Sequence, residues 1–297
     1  MNGFLSRKYL RFIRFLRYRS LGLECSSYDW TANSLPSELW TSEPSFHFQV
    51  ISPGRSGTRW LSSLLIDLTN AFVCHASKPT LAEPGYLFDR GFISDEEMLG
   101  SYRASRCHFL SLADVCKRHY IDLDCKNSPA ISVLANHYPM CKFLIMIREP
   151  ISFVTSGIYR GYFADHNPRS WGHLESIDVD IYSTPEELQI YKIAAFWRRI
   201  ALISDHFITS SPHRAYVLNV SKMFSQSSIV HHLFDWLNLP VTDPVLSSKF
   251  RKRINSNSHS WQLSPLQTSI LSSSSFRDFC FNGISEPLLE LSGIIDQ

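Results

Sequence analysis

Apolar and polar positions divide the chain into short strand-like runs and longer stretches of helical period. His47-Phe-Gln-Val-Ile-Ser52 has the length and composition of a buried strand, and Pro53-Gly54 closes it with a turn signal. Thr58 to Leu68 follows with helical spacing, and Ala71-Phe-Val-Cys-His75 reads as a second short strand. Residues 76–125 give a weak pattern, with helices expected at Glu96 to Tyr102 and Leu110 to His119. Ile131 to Tyr138 suits a helix. Lys142-Phe-Leu-Ile-Met-Ile147 is the strongest strand signal in the chain, and Pro150 opens the helix expected after it.

Thr184-Pro185-Glu186-Glu187 carries a helix start: a capping hydroxyl, Pro at the first helical position, and acids in the first turn. The helix should run on through Ile190 to Phe207. Arg214 to Asn219 reads as a late strand, and Ser225 to Leu237 as a helix with Pro240 beyond it. The Ser-rich region 254–275 is expected to be dominated by loop. Strands alternating with helices predict an α/β fold, a central and mainly parallel sheet flanked by helices. Three segments are expected: residues 1–20 as a basic amphipathic segment, 21–46 as an irregular lead-in, and 47–297 as one domain.

Composition narrows the function. Lys and Arg number 29 against 27 Asp and Glu, a formal charge of +2, so no bulk attraction to nucleic acid is expected. Any anion site must come from a local cluster. Seven cysteines lie scattered with no CxxC pair, the pattern of reduced thiols rather than of a zinc site, and no metal is expected. No apolar run approaches the ~20 residues that span a bilayer. At the start, Arg7, Arg11 and Arg14 share one helical face, and Leu5, Tyr9, Phe12, Ile13 and Leu16 the opposite one. Such a helix can lie on an anionic membrane or dock on the protein's own core. The expectation is a cytoplasmic protein with optional peripheral membrane contact through residues 1–20.

The candidate chemistry begins at Pro53-Gly54-Arg55-Ser56-Gly57-Thr58-Arg59-Trp60-Leu61. A strand, a short Gly-containing loop and a helix start leave unpartnered N–H groups at the positive end of the helix dipole, an anion site. Ser56 and Thr58 add hydroxyl donors, and Arg55 and Arg59 add charge. The nucleotide-triphosphatase loop requires a Gly-Lys-Ser/Thr ending, absent here, and no Mg²⁺-binding partner is evident. This argues against a kinase-like phosphotransferase, the first rival reading.

The loop resembles the 5′-phosphosulfate-binding loop of the sulfotransferases that use 3′-phosphoadenosine 5′-phosphosulfate (PAPS). It departs from the usual form by Gly54 between Pro53 and Arg55, and by Arg59 where Thr or Ser is commoner. A second segment, Arg148-Glu149-Pro150 with Ser156 eight residues past the arginine, resembles the same family's 3′-phosphate motif, and Ser152 lies one turn before Ser156. The lead-in His137 to Phe143, Trp197, Tyr216 to Asn219 and Ile254-Asn255-Ser256 also resemble family elements.

The resemblance implies a PAPS sulfotransferase acting without a metal on a hydroxyl or amine acceptor, expected to be a carbohydrate or glycolipid. It assigns the donor to Arg55, Ser56, Gly57, Thr58, Arg59, Trp60, Arg148 and Ser156. Arg55 takes the place of the family's catalytic cation, and Lys126 that of a second one. The histidine that follows this lysine in cytosolic members is replaced by Ser128. The general base is therefore sought at His75, with Glu83, Asp124 and His108 as alternatives. A relative that binds the desulfated nucleotide PAP without catalysis is the second rival.

Overall fold

The computed structural model describes residues 47–69, 71–164, 182–239 and 262–295. The basic segment 1–20, the lead-in 21–46 and Ile254-Asn255-Ser256 lie outside the described residues.

Five strands form one sheet: β1 (His47–Ile51), β2 (Phe72–Cys74), β3 (Tyr120–Asp122), β4 (Lys142–Ile145) and β5 (Ala215–Val217), in the order β2-β3-β1-β4-β5. Every pairing is parallel. The register sets Ile51 beside Ile145, and the amide of Met146 continues the ladder to the carbonyl of Ile51 at 2.9 Å. The ends of β1 and β4 are therefore side by side.

Side chains leave the sheet alternately on its two faces. Phe48 and Val50 of β1, with Leu144 and Met146, enter a core shared with Leu61, Leu65, Val230 and Leu233. Those partners sit on α1 (Thr58–Leu68), which follows β1, and on α7 (Ser227–Trp236), which follows β5. Ile51, Tyr120, Phe143 and Ile145 enter a second core with Tyr102, Phe153 and Trp197. That face is covered by α2 (Ala82–Asp89), α3 (Asp95–Val115), α4 (Ile131–His137), α5 (Pro150–Ile158) and α6 (Pro185–Ser210). A parallel sheet buried on both faces explains why these strands read as continuous apolar runs. Among the described residues no helix is long and apolar enough to cross a membrane.

Several expectations need correction. The separate helices expected at Glu96–Tyr102 and Leu110–His119 are one helix, α3, which ends at Val115. Ser94 and Glu97 form a capping box at its start. The periodic signal fails because Arg106 occupies a fully buried position on the apolar face. Its guanidinium pairs with Asp122 at 2.9 Å and Asp124 at 2.8 Å. Burial opposes the Arg106 charge, but the carboxylates outweigh it and hold its pKa above the usual value. β3 gives no strand signal because it is three residues long and ends in Asp122, the partner of Arg106.

The expectation of loop across 254–275 also fails where the structure describes it. Helices α8 (Pro265–Leu271), α9 (Ser274–Phe281) and α10 (Glu286–Leu291) occupy the C-terminal region. Ser264 and Ser273 are N-caps, accepting from the amides of Gln267 and Phe276. Serines that read as loop in composition act here as helix starts.

Candidate functional site

The chain leaves β1 for β2 and β3 on one side, then crosses to β4 and β5 on the other. Such a reversal opens a crevice at the carboxyl ends of the central strands. Both arginine-bearing segments lie there.

The loop after β1 is shaped by three left-handed residues: Gly54 (φ 84°), Arg55 (φ 57°) and Gly57 (φ 87°). Arg55 holds this conformation without the steric freedom of glycine, a strain characteristic of functional loops. The hydroxyl of Ser52 accepts from the Gly54 amide at 3.0 Å, and that of Ser56 donates to the Gly54 carbonyl at 3.0 Å. Ser128 ties the loop down from below. Its hydroxyl accepts from the Ser52 amide at 3.0 Å and donates to the Ser52 carbonyl at 3.1 Å. Gly57 is the N-cap of α1 and offers no side-chain cap, so the first amides of that helix remain for a ligand.

The segment after β4 meets this loop. Arg148 donates from Nη1 to the carbonyl of Arg55 at 3.4 Å. The indole of Trp197, fully buried in α6, fixes the Arg148 backbone by donating to its carbonyl at 2.8 Å. Glu149 caps α5, accepting from the amides of Ile151 (2.8 Å) and Ser152 (2.7 Å). One turn further on, Ser156 accepts from Nε of Arg55 at 3.0 Å. Both terminal amino groups of Arg55 have no hydrogen-bond partner among the described residues.

The two segments enclose a cleft of about 780 Å³. Arg55, Ser56, Gly57, Thr58, Arg59, Trp60, His75 and Arg148 all line it. Ser156 stands behind the wall and reaches the cleft through Arg55. Lys126 is not brought in: its Nζ donates to Thr80 Oγ1 at 2.9 Å and does not line the cleft. Among the alternative bases, Asp124 lines the cleft but is committed to Arg106, whereas Glu83 and His108 do not line it.

The electrostatics favour anions. Burial pushes the pKa of Arg55 down, and the neighbouring Arg160 and Arg148 cations push it further. Burial lowers Arg148 as well, against the opposing effect of Glu149. Of the two acids in the lining, Asp124 serves Arg106 and Glu149 serves the start of α5. Burial and then the Arg59 charge hold His75 below the usual imidazole range, so the ring is neutral near pH 7. Its Nε2 lies 3.2 Å from Thr58 Oγ1. Cys125 also lines the cleft, but burial raises its thiol well above the ordinary value, which removes a thiolate nucleophile.

Sequence reasoning missed four parts of the lining: Arg160, Phe224, Ser221 and the turn Ser292-Gly293. Arg160 continues the four-residue spacing of Arg148, Ser152 and Ser156, a signal open to anyone extending the motif. Phe224 packs edge-on against Trp60 with ring centroids 5.2 Å apart. Gly293 lines the cleft and packs closely against Asn219. A Cβ there would lie 2.4 Å from Asn219 Nδ2, and nothing local in the sequence announces that contact.

No protein-family model matches the sequence, and no curated protein is significantly similar to it. Among solved structures, the chain is similar to a sulfotransferase domain from the curacin biosynthetic pathway. They share 13% identity at a TM-score of 0.46, over 71% of this chain and 80% of the other. It is also similar to a sulfotransferase domain from the Synechococcus PCC 7002 olefin synthase. Identity is again 13%, with a TM-score of 0.44, over 91% of this chain and 99% of the other. At this level of similarity the chemistry has to be read from the site itself.

Proposed function

We propose that the chain transfers a sulfonate group from PAPS to a hydroxyl-bearing acceptor. The observation that carries this reading is the joining of two anion grips through Arg55. Its backbone carbonyl accepts from Arg148 and its Nε donates to Ser156, at the adjacent ends of β1 and β4.

A donor with two separated phosphate groups suits this arrangement. The amides of Ser56 to Thr58 and the Thr58 hydroxyl fit a 5′-phosphosulfate, and Arg148 with Ser152 fits a 3′-phosphate, Ser156 acting from behind the wall by holding Arg55. Trp60 and Phe224 supply an aromatic flank suited to a purine. The fit rests on the donor set in the cleft, whose four arginines face two acids that are both already engaged.

The donor supplies an activated sulfonate whose S–O bond to phosphate breaks as the S–O bond to the acceptor forms. Arg55 neutralises the charge left on the departing phosphate oxygen. His75, neutral and within reach of Thr58, takes the acceptor proton on Nε2. In the tautomer with its proton on Nδ1, Nε2 is the basic nitrogen, and the acceptor hydroxyl replaces the Thr58 hydroxyl, 3.2 Å away, as its partner. Lys126 takes no role in this reading. The acceptor is proposed to be a carbohydrate or glycolipid hydroxyl.

Incubating the purified protein with donor labelled in the sulfonate, an extract as acceptor source, and EDTA tests the reading. Label should move to an acceptor, and the transfer should survive chelation. Loss of transfer on chelation, with rescue by Mg²⁺, or phosphate transfer from ATP instead, would contradict it.

A further inference from the structure

β1 loses its neighbour on one side before it reaches the loop of the cleft. Its pairing with β3 ends at Gln49 and Asp122, whereas its pairing with β4 runs on to Ile51 and Ile145. The carbonyl of Ile51 still accepts from the Met146 amide on the β4 side. Successive carbonyls of a strand point to opposite sides, so the amide and carbonyl of Ser52 face the side that β3 has left. Ser52 is fully buried, and two unpaired backbone groups there would be costly.

The hydroxyl of Ser128 meets both groups. It accepts from the Ser52 amide at 3.0 Å and donates to the Ser52 carbonyl at 3.1 Å, as a neighbouring strand would. Ser128 stands on the 3₁₀ turn Cys125–Ala130 that follows β3; it is itself fully buried and does not line the cleft. The same turn grips β1 three residues earlier, where Asn127 Nδ2 donates to Gln49 Oε1 at 3.2 Å. From Ser52 the constraint passes into the loop through buried hydroxyl groups. Ser52 Oγ accepts from the Gly54 amide and donates to Ser56 Oγ at 3.3 Å, and Ser56 Oγ donates to the Gly54 carbonyl. Arg55 lies between these fixed residues, in its left-handed conformation of φ 57°.

We propose that Ser128 is a positioning residue for the donor: its hydroxyl takes the place of a strand and, through Ser52, sets the aim of Arg55 and of the Ser56 to Thr58 amides at the 5′ end of the nucleotide. This rests on the reading of the cleft as a PAPS site. Ser128 touches no ligand itself. Its effect is confined to the 5′ end, because Arg148 and Ser152 belong to the segment after β4, whose backbone is fixed by Trp197 and Glu149.

The test uses the full chain, titrated calorimetrically with PAP, 5′-AMP and adenosine 3′-phosphate. Ser128→Ala removes both contacts to Ser52. It should weaken PAP and 5′-AMP by about three- to tenfold, the range expected for losing a neutral hydroxyl, and change adenosine 3′-phosphate by less than about twofold. Ser204→Ala serves as the control for general destabilisation. It removes another fully buried hydroxyl, which donates to the Ile200 carbonyl at 2.8 Å within α6 and does not line the cleft. Whatever it does to the melting temperature, it should leave all three affinities unchanged. If Ser128→Ala does not fold, Ser128→Cys, with a similar volume and a weaker donor and acceptor, is read by the same criterion. Wild-type affinity for 5′-AMP in the folded variant, or an equal loss of all three ligands, would overturn the inference while leaving the donor site in place. A wild-type protein that binds no PAP would overturn the donor reading, and this inference with it.

Discussion

Nε of Arg55 donates to the hydroxyl of Ser156 at 3.0 Å, across 101 residues of sequence. One bond thus links the loop that ends β1 to the helix that follows β4. Cutting it should cost more at the donor than at the fold, because both residues lie at the crevice and not in either core. Ser156→Ala should weaken PAP binding by a few-fold, since it removes a neutral hydroxyl worth about 0.5–1.5 kcal/mol. Arg148→Ala should weaken it by more than about tenfold, the cost of a charged contact of roughly 1.5–3 kcal/mol. Titration calorimetry on the two variants checks the order. Equal losses, or none, would contradict the assignment of the second motif.

At Gly57 a single methyl should do harm. Its φ is 87°, and an added Cβ would lie 2.2 Å from Met223 Cε and 2.8 Å from Phe224 Cζ. The left-handed conformation alone costs a residue with a Cβ roughly 1–2 kcal/mol. Gly57→Ala should therefore lower the denaturant midpoint and also abolish tight PAP binding by tilting the first amides of α1. A variant with wild-type stability and affinity would show that this loop geometry is not needed.

The pH profile follows from the environment of His75. Burial and the Arg59 charge hold its pKa below the usual value of about 6.5. A base acts when deprotonated, so kcat/KM should rise with pH through a midpoint below that value and stay level above it. Arg59→Gln removes a cation that disfavours the imidazolium, so the midpoint should move up. His75→Ala should lose the acid limb and about 10²–10⁴-fold in kcat, with PAP affinity intact. An unchanged profile in that variant would turn attention to Asp124, the one alternative base in the lining.

The sequence was most legible where one local rule decided the structure. The runs at 47–52 and 142–147 contain the strands β1 and β4 because both sheet faces are buried. Thr184 caps α6 through the Glu187 amide at 3.1 Å, as its spacing with Pro185 predicts. The two arginine-bearing segments meet at one cleft because parallel strands put their carboxyl ends on one side. Legibility failed where long-range contacts overrule local pattern. Arg106 looks like a surface residue until Asp122 and Asp124 surround it. Lys126 sits at the spacing of a catalytic cation but donates to Thr80. Gly293 lines the cleft while packed closely against Asn219, 74 residues upstream.

The buried cluster gives a stability prediction independent of the chemistry. Arg106 is fully buried against two carboxylates, and Tyr120 also donates to Asp122 at 3.0 Å. Arg106→Met keeps much of the volume but strands both charges, which should cost about 3–5 kcal/mol in a urea or guanidinium titration. Adding Asp122→Asn and Asp124→Asn should restore part of that loss. A single variant as stable as wild type would mean the pair contributes nothing to holding β3 against α3.

Recognition of a nucleotide by its 3′-phosphate as well as its 5′ end is tested by comparing PAP with 5′-AMP in titration calorimetry. PAP should bind at least tenfold more tightly to the wild type, about 1.4 kcal/mol, and Arg148→Ala should collapse that difference while leaving the weak 5′-AMP affinity nearly unchanged. A wild-type protein that binds the two nucleotides equally, or binds neither, would contradict recognition of the 3′-phosphate in this cleft.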